Sequence, residues 1–119
     1  MQANSPYERA MPVGGGYRDV SPEATFAARE HVRLVDVREP HEYTGELGHV
    51  PGSELVPMDR VAAASHTWDP QAEIILICRS GARSGRAAAS LAASGFRRVM
   101  NLEGGMLAWN AAHLPVERN

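Results

Sequence analysis

The chain has 119 residues, 44% of them hydrophobic and 22% charged, with a net charge of −2 and a single cysteine, Cys78. That length suits one domain with its own core, and the mild negative charge argues against a nucleic-acid footprint. One cysteine excludes intrachain disulfides, CxxC redox pairs and multi-cysteine zinc sites. All twelve basic residues are arginine, so Walker-type phosphate loops and Schiff-base lysines are excluded too.

Residues 1–15 read as a flexible leader, because scattered prolines and the glycine triplet at 14–16 offer no hydrophobic periodicity. The domain proper is read as 16–119. No basic flank followed by an apolar stretch marks a signal peptide, and no run approaches the ~20 apolar residues of a membrane span. A soluble, reducing, cytoplasmic setting is therefore expected, without membrane or nucleic-acid partners. Tyr17–Val20 predicts a short strand. Ser21-Pro22-Glu23 marks a helix start, with a hydroxyl cap, proline at the first position and an acid in the first turn, running to about His31.

Arg33–Val37 predicts a buried strand, and Glu39 to Glu46 a short helix closed by Gly45 and Gly48. His49–Gly52 reads as a surface turn, Ser53–Val56 as an edge strand and Met58–Ser65 as helical. Glu73–Ile77 is apolar and β-branched, the pattern of a central parallel strand buried on both faces. Cys78–Ala82 follows as a loop, then a helix over Arg83–Ser94 stopped by Gly95. Its apolar face (Ala87, Ala88, Leu91, Ala92) is small enough to lie close to a sheet. Phe96–Leu102 contains another strand and Met106–Ala112 a last helix. This alternation predicts a three-layer α/β fold, a mainly parallel sheet with helices on both faces.

Ligand sites in such sheets lie beyond the carboxyl ends of the strands, and the clearest strand runs directly into Cys78. A tight loop between strand and helix aims successive N–H groups into an anion-binding concavity. A sulfur there is stabilised as thiolate, and helix N-termini and nearby arginines strengthen the effect. Arg79, Arg83 and Arg86 all lie within eight residues of the sulfur. Gly81 supplies backbone freedom, and Ser80 and Ser84 add hydroxyl donors. A lone cysteine is ordinarily an inert small hydrophobe; strand end, glycine loop, helix start and flanking arginines together point instead to a reactive thiolate.

Cys78-Arg79-Ser80-Gly81-Ala82-Arg83 resembles the active-site loop of rhodanese-type sulfurtransferases. Leu34–Glu39 with Glu42-Tyr43 and Gly48–Ser53 is similar to the family's upstream signature, and Asn101–Met106 with Trp109 to its C-terminal one. The resemblance spans Tyr17 to Pro115. It implies the rhodanese fold and a Cys78 persulfide, formed from a sulfane donor such as thiosulfate and discharged to cyanide or a thiol. It also implies that the loop amides of Arg79, Ser80, Gly81, Ala82 and Arg83 hold the persulfide's charge, and that no cofactor is needed. Cysteine phosphatases sharing this fold use a loop one residue longer, since here only four residues separate Cys78 from Arg83. With no second thiol, discharge must be to something outside the chain: a small molecule, or a partner protein served by a sulfur carrier.

Asp36, Arg38 and Ser84 complete the candidate site as supporting residues. Asp36 and Arg38 end the second buried strand beside the expected loop, and a structural ion pair is the simpler role for them. His31, His41, His66 and His113 lack ligand spacing, so no metal site is expected. Trp109 reads as core, and Trp68 as packing over the sheet edge. Arg83, as the nearest fixed cation, is expected to lower the Cys78 pKa.

Overall fold

Glu73–Ile77, apolar from Ile74 on, forms a five-residue strand in the interior of the sheet. In a computed structural model of the chain, which describes residues 5–119, the strands are Met11–Pro12 (β1), Arg18–Val20 (β2), Arg33–Asp36 (β3), Glu54–Leu55 (β4), Glu73–Ile77 (β5) and Arg98–Leu102 (β6). They lie in the order β1-β2-β6-β5-β3-β4, with β1 antiparallel to β2 and all other pairs parallel. The helices are Pro6–Arg9 (α1), Pro22–Ala28 (α2), Pro40–Tyr43 (α3), Val61–Ala64 (α4), Ala82–Ala93 (α5) and Gly105–Ala111 (α6). The expected three-layer architecture is present.

The pleat of β5 divides the core. Ile74 and Leu76 enter one apolar cluster with Val35, Val37, Ala87, Ala88 and Leu91, beneath α4 and α5. Ile75 and Ile77 enter the other with Val20, Leu102, Met106 and Trp109, beneath α2 and α6. All four are 0% exposed, each contributing roughly 1.5–3 kcal/mol. The alanines of α5 bring it close to the sheet, which places its first turn against the end of β5.

Several local expectations are corrected. Before Gly16, where no regular structure is predicted, residues 5–15 hold α1 and β1; residues 1–4 of the expected leader lie outside the described residues. Ser5 caps α1, Pro6 opens it, and Arg18 lies over the Tyr7 ring while donating to the Tyr7 carbonyl. Helix α2 stops at Ala28 rather than near His31, because the Arg29 side chain turns back to bond the Phe26 carbonyl. Met58–Ser65 is not one helix: single 3₁₀ turns flank α4, and the Ser65 hydroxyl competes for the Ala62 carbonyl. His49 is buried rather than at the surface, its ring stacked on Tyr43 at 3.6 Å with Nδ1 against the Tyr43 carbonyl.

Asp36 and Arg38 form the buried pair at the carboxyl end of β3. Arg38 Nε and Nη2 donate to the two carboxylate oxygens at 2.9 and 2.8 Å, and Nη2 also to the Gly48 carbonyl. Their side chains are 0% and 1% exposed, so the pair holds the β3 end to the turn at Gly48. Arg38→Met is expected to destabilise the fold by about 3–5 kcal/mol, because it leaves a buried carboxylate unpaired. Adding Asp36→Asn is expected to recover part of that loss in chemical denaturation; a single variant as stable as the wild type would refute the role.

Candidate active site

Cys78 is the first residue after β5, and its side chain sits at 1% exposure under the loop that follows. The loop turns at Gly81, whose φ of +101° is left-handed and open to glycine. That turn points the Gly81 N–H at the sulfur, 3.1 Å away, while the Ser84 hydroxyl from the first turn of α5 lies 3.2 Å from it. Burial by itself pushes the thiol up; the Ser84 hydroxyl and the N–H groups of Ser84, Gly81 and Ser80 outweigh it and hold the pKa below the ordinary value. Arg79, Ser80 and Ala82 are exposed at the rim, and Arg86 also faces outward.

The loop's carbonyls are held from behind. At the start of α6, the N–H groups of Met106 and Leu107 donate to the carbonyls of Cys78 and Arg79 at 2.9 and 3.0 Å. Gly104 and Gly105 have φ of +77° and +58°, and a Cβ on Gly105 would stand 2.5 Å from the Cys78 carbonyl oxygen. Only glycine allows this approach.

Arg83 has a carboxylate partner of its own. It forks onto Glu42, Nη1 and Nη2 donating to the two carboxylate oxygens at 2.8 and 2.9 Å. The hydrogen bonds from Arg83 lower the Glu42 carboxyl to about 2, so the pair persists at every pH from neutral down to strong acid. Its contribution is complete above the ordinary carboxyl pKa and is lost as pH falls from there through about 2. Arg83 therefore ties α5 to α3, and the donors that activate the sulfur are the hydroxyl and the amides. Arg79 lines a hollow of about 180 Å³ together with Arg38, His41, Glu42 and Glu46.

Sequence reasoning passed over two residues. Glu42 was read only as part of a signature, and nothing local links it to a partner 41 positions away. Asn101 accepts from the Ser84 hydroxyl and donates through Nδ2 to the Gly81 carbonyl. It stands in the C-terminal signature, a polar residue among the buried Val99, Met100 and Leu102 of β6. No group of three or more potential ligands that could hold a metal occurs among the described residues, nor any helix long and apolar enough to cross a membrane.

Ser84→Ala is expected to raise the Cys78 pKa by about one to two units, the worth of a hydrogen bond to a charged group. Arg83→Ala should raise it less, and Glu42→Gln should lower it by releasing the Arg83 charge. Thiolate absorbance against pH orders the three; a larger effect from Arg83→Ala than from Ser84→Ala would restore the arginine as activator. Gly105→Ala is expected to destabilise the fold by roughly 1–3 kcal/mol, through backbone strain and a forced shift of the loop, read as a lowered Tm.

A profile of the rhodanese-like domain matches residues 23–112. A sulfurtransferase of Allochromatium vinosum is 38% identical over 91 residues, covering 76% of this chain and 83% of that protein. The thiosulfate sulfurtransferase GlpE of Pseudoalteromonas translucida is 35% identical over 85 residues, covering 71% and 79%. A rhodanese-related protein from Thermoplasma volcanium superposes with a TM-score of 0.78 at 24% identity, over 87% of this chain and all of that one. A buried cysteine at a strand end, a six-residue loop closed by arginine, and relatives matched across most of their length lead to one conclusion: the chain belongs to the rhodanese-like family.

Proposed function

We propose that the protein is a sulfurtransferase that moves a sulfane sulfur from thiosulfate, or a similar anionic donor, to an external acceptor through a persulfide on Cys78. The observation that carries this reading is the sulfur's position: buried at the end of β5, with the Gly81 N–H and the Ser84 hydroxyl both directed at it. Such a cradle favours the thiolate, which is the nucleophilic form. The thiolate attacks the outer sulfur of thiosulfate; a new S–S bond forms, the donor's S–S bond breaks, and sulfite departs with the electron pair. The negative charge then rests on the outer sulfur, where the loop amides from Arg79 to Arg83 hold it in this reading. Cyanide or a thiolate removes that sulfur and regenerates Cys78.

The supporting roles follow from placement. Arg79, exposed and adjacent to Cys78, gives anionic donors a favourable approach. Arg83 keeps the loop in register through Glu42, and the Asp36–Arg38 pair supports the neighbouring strand end. The loop is one residue shorter than in the cysteine phosphatases, which favours a sulfur atom over a phosphoryl group. Cys78 is the only cysteine, so the acceptor comes from outside the chain.

Intact mass after thiosulfate treatment and desalting should show one added sulfur on the wild type and none on Cys78→Ala. No increment on the wild type, or the same increment on the variant, would overturn the reading. Sulfur uptake should rise with pH and level off below the pH at which a free cysteine ionises, because the folded thiol's pKa is lowered. Steady-state turnover of thiosulfate and cyanide separates an enzyme from a carrier loaded and emptied by partner proteins: the enzyme turns over, the carrier does not.

A further inference from the structure

The Ser84 hydroxyl has one proton and two acceptors. Its oxygen lies 3.2 Å from the Cys78 sulfur and within hydrogen-bond reach of Asn101 Oδ1, and Ser84 is 0% exposed, cut off from bulk solvent. Asn101 cannot turn its amide over to relieve the competition. Its Nδ2 donates to Asp19 Oδ1 and to the Gly81 carbonyl, both at 3.2 Å, and a flipped amide would set oxygen against two oxygens. Strand pairing fixes the arrangement: Asn101 on β6 is in register with Asp19 on β2 and with Leu76 on β5. Oδ1 is thus a stationary acceptor beside the nucleophile's own donor.

We propose that Asn101 is a positioning residue that sets the direction of the Ser84 hydroxyl proton and so favours the sulfur-loaded state of Cys78 over the bare thiolate. With the thiol protonated, S–H donates to Ser84 Oγ, Ser84 O–H donates to Asn101 Oδ1, and the chain is complete. Ionisation pulls the hydroxyl to the sulfur and leaves Oδ1 buried without that donor. When the thiolate attacks thiosulfate and sulfite leaves, the charge moves to the outer sulfur. The inner sulfur becomes a neutral disulfide-like atom, and the hydroxyl returns to Asn101. The loading half of this inference rests on the persulfide reading above; the proton-directing half does not.

The test is a titration of Cys78 by ultraviolet thiolate absorbance in the wild type, Asn101→Leu, Ser84→Ala and the double variant. In the Ser84→Ala background, Asn101→Leu reports only what loss of the Gly81 and Asp19 contacts does. With the hydroxyl present, the same substitution should move the pKa lower than that by about half to one unit. Equal shifts in the two backgrounds, or a relative rise when the hydroxyl is present, overturn the proposal. The wild type supplies a check free of any substitution: the Asn101 side-chain amide resonances should follow the Cys78 titration, and amides that stay still overturn it as well. At a fixed thiosulfate-to-sulfite ratio, Asn101→Leu should cut the ratio of persulfide to thiolate roughly three- to tenfold, the same coupling read as an equilibrium. An unchanged ratio overturns the loading half. If the titration couples but no protein, wild type included, takes up sulfur, the persulfide reading fails and the direction of the proton stands.

Discussion

A peptide loop can turn its N–H groups toward a buried sulfur only if its carbonyls find partners on the other side. That constraint organises this molecule. The carbonyls of Cys78 and Arg79 are taken by the first N–H groups of α6, and the Gly81 carbonyl by the Asn101 amide and the Gly85 N–H. Backbone carbonyls left buried and unpaired would each oppose this geometry. With them engaged, the opposite edge of the loop is free to face Cys78. Gly105 is the point where the two segments approach most closely, and its missing side chain is what lets the helix reach the loop.

Two ion pairs hold the surroundings of that loop, and they differ in kind. Asp36–Arg38 is sealed in the protein and joins the end of β3 to the turn at Gly48. Glu42–Arg83 is partly exposed and joins two helices across the rim of the site. Neither donates a hydrogen bond to the sulfur. The sulfur's hydrogen-bond donors are instead short and neutral, which suits the proposed persulfide step, in which the negative charge moves one atom outward.

Much of the architecture is legible in order along the chain. Glu73–Ile77 reads as a central strand because a run that is apolar on both faces has no other place in a sheet. Ser21-Pro22 marks a helix start through local chemistry, and α2 begins there; the helix expected over Glu39 to Glu46 is only Pro40–Tyr43. The ends are less legible. Helix α2 stops early because Arg29 caps it from its own side chain, and the Met58–Thr67 segment breaks into single turns where Ser65 competes for a carbonyl. His49 reads as a turn residue by its neighbours, yet it is buried because Tyr43 and the chain end around Glu117 close over it.

The fold class, and the cysteine at a strand end with its loop, were determined by the sequence alone, since each is written in contiguous residues: a strand, one cysteine, a glycine turn and a helix start. What the tertiary structure decided is which polar groups meet. Arg83 looked like the sulfur's cation and is Glu42's partner; Asn101 looked like a strand residue and is Ser84's. Those pairings follow from the strand order β6-β5-β3 and from the close lie of α5 on the sheet. A hydrogen bond depends on distances of a few tenths of an ångström, and residue spacing along the chain does not carry that information.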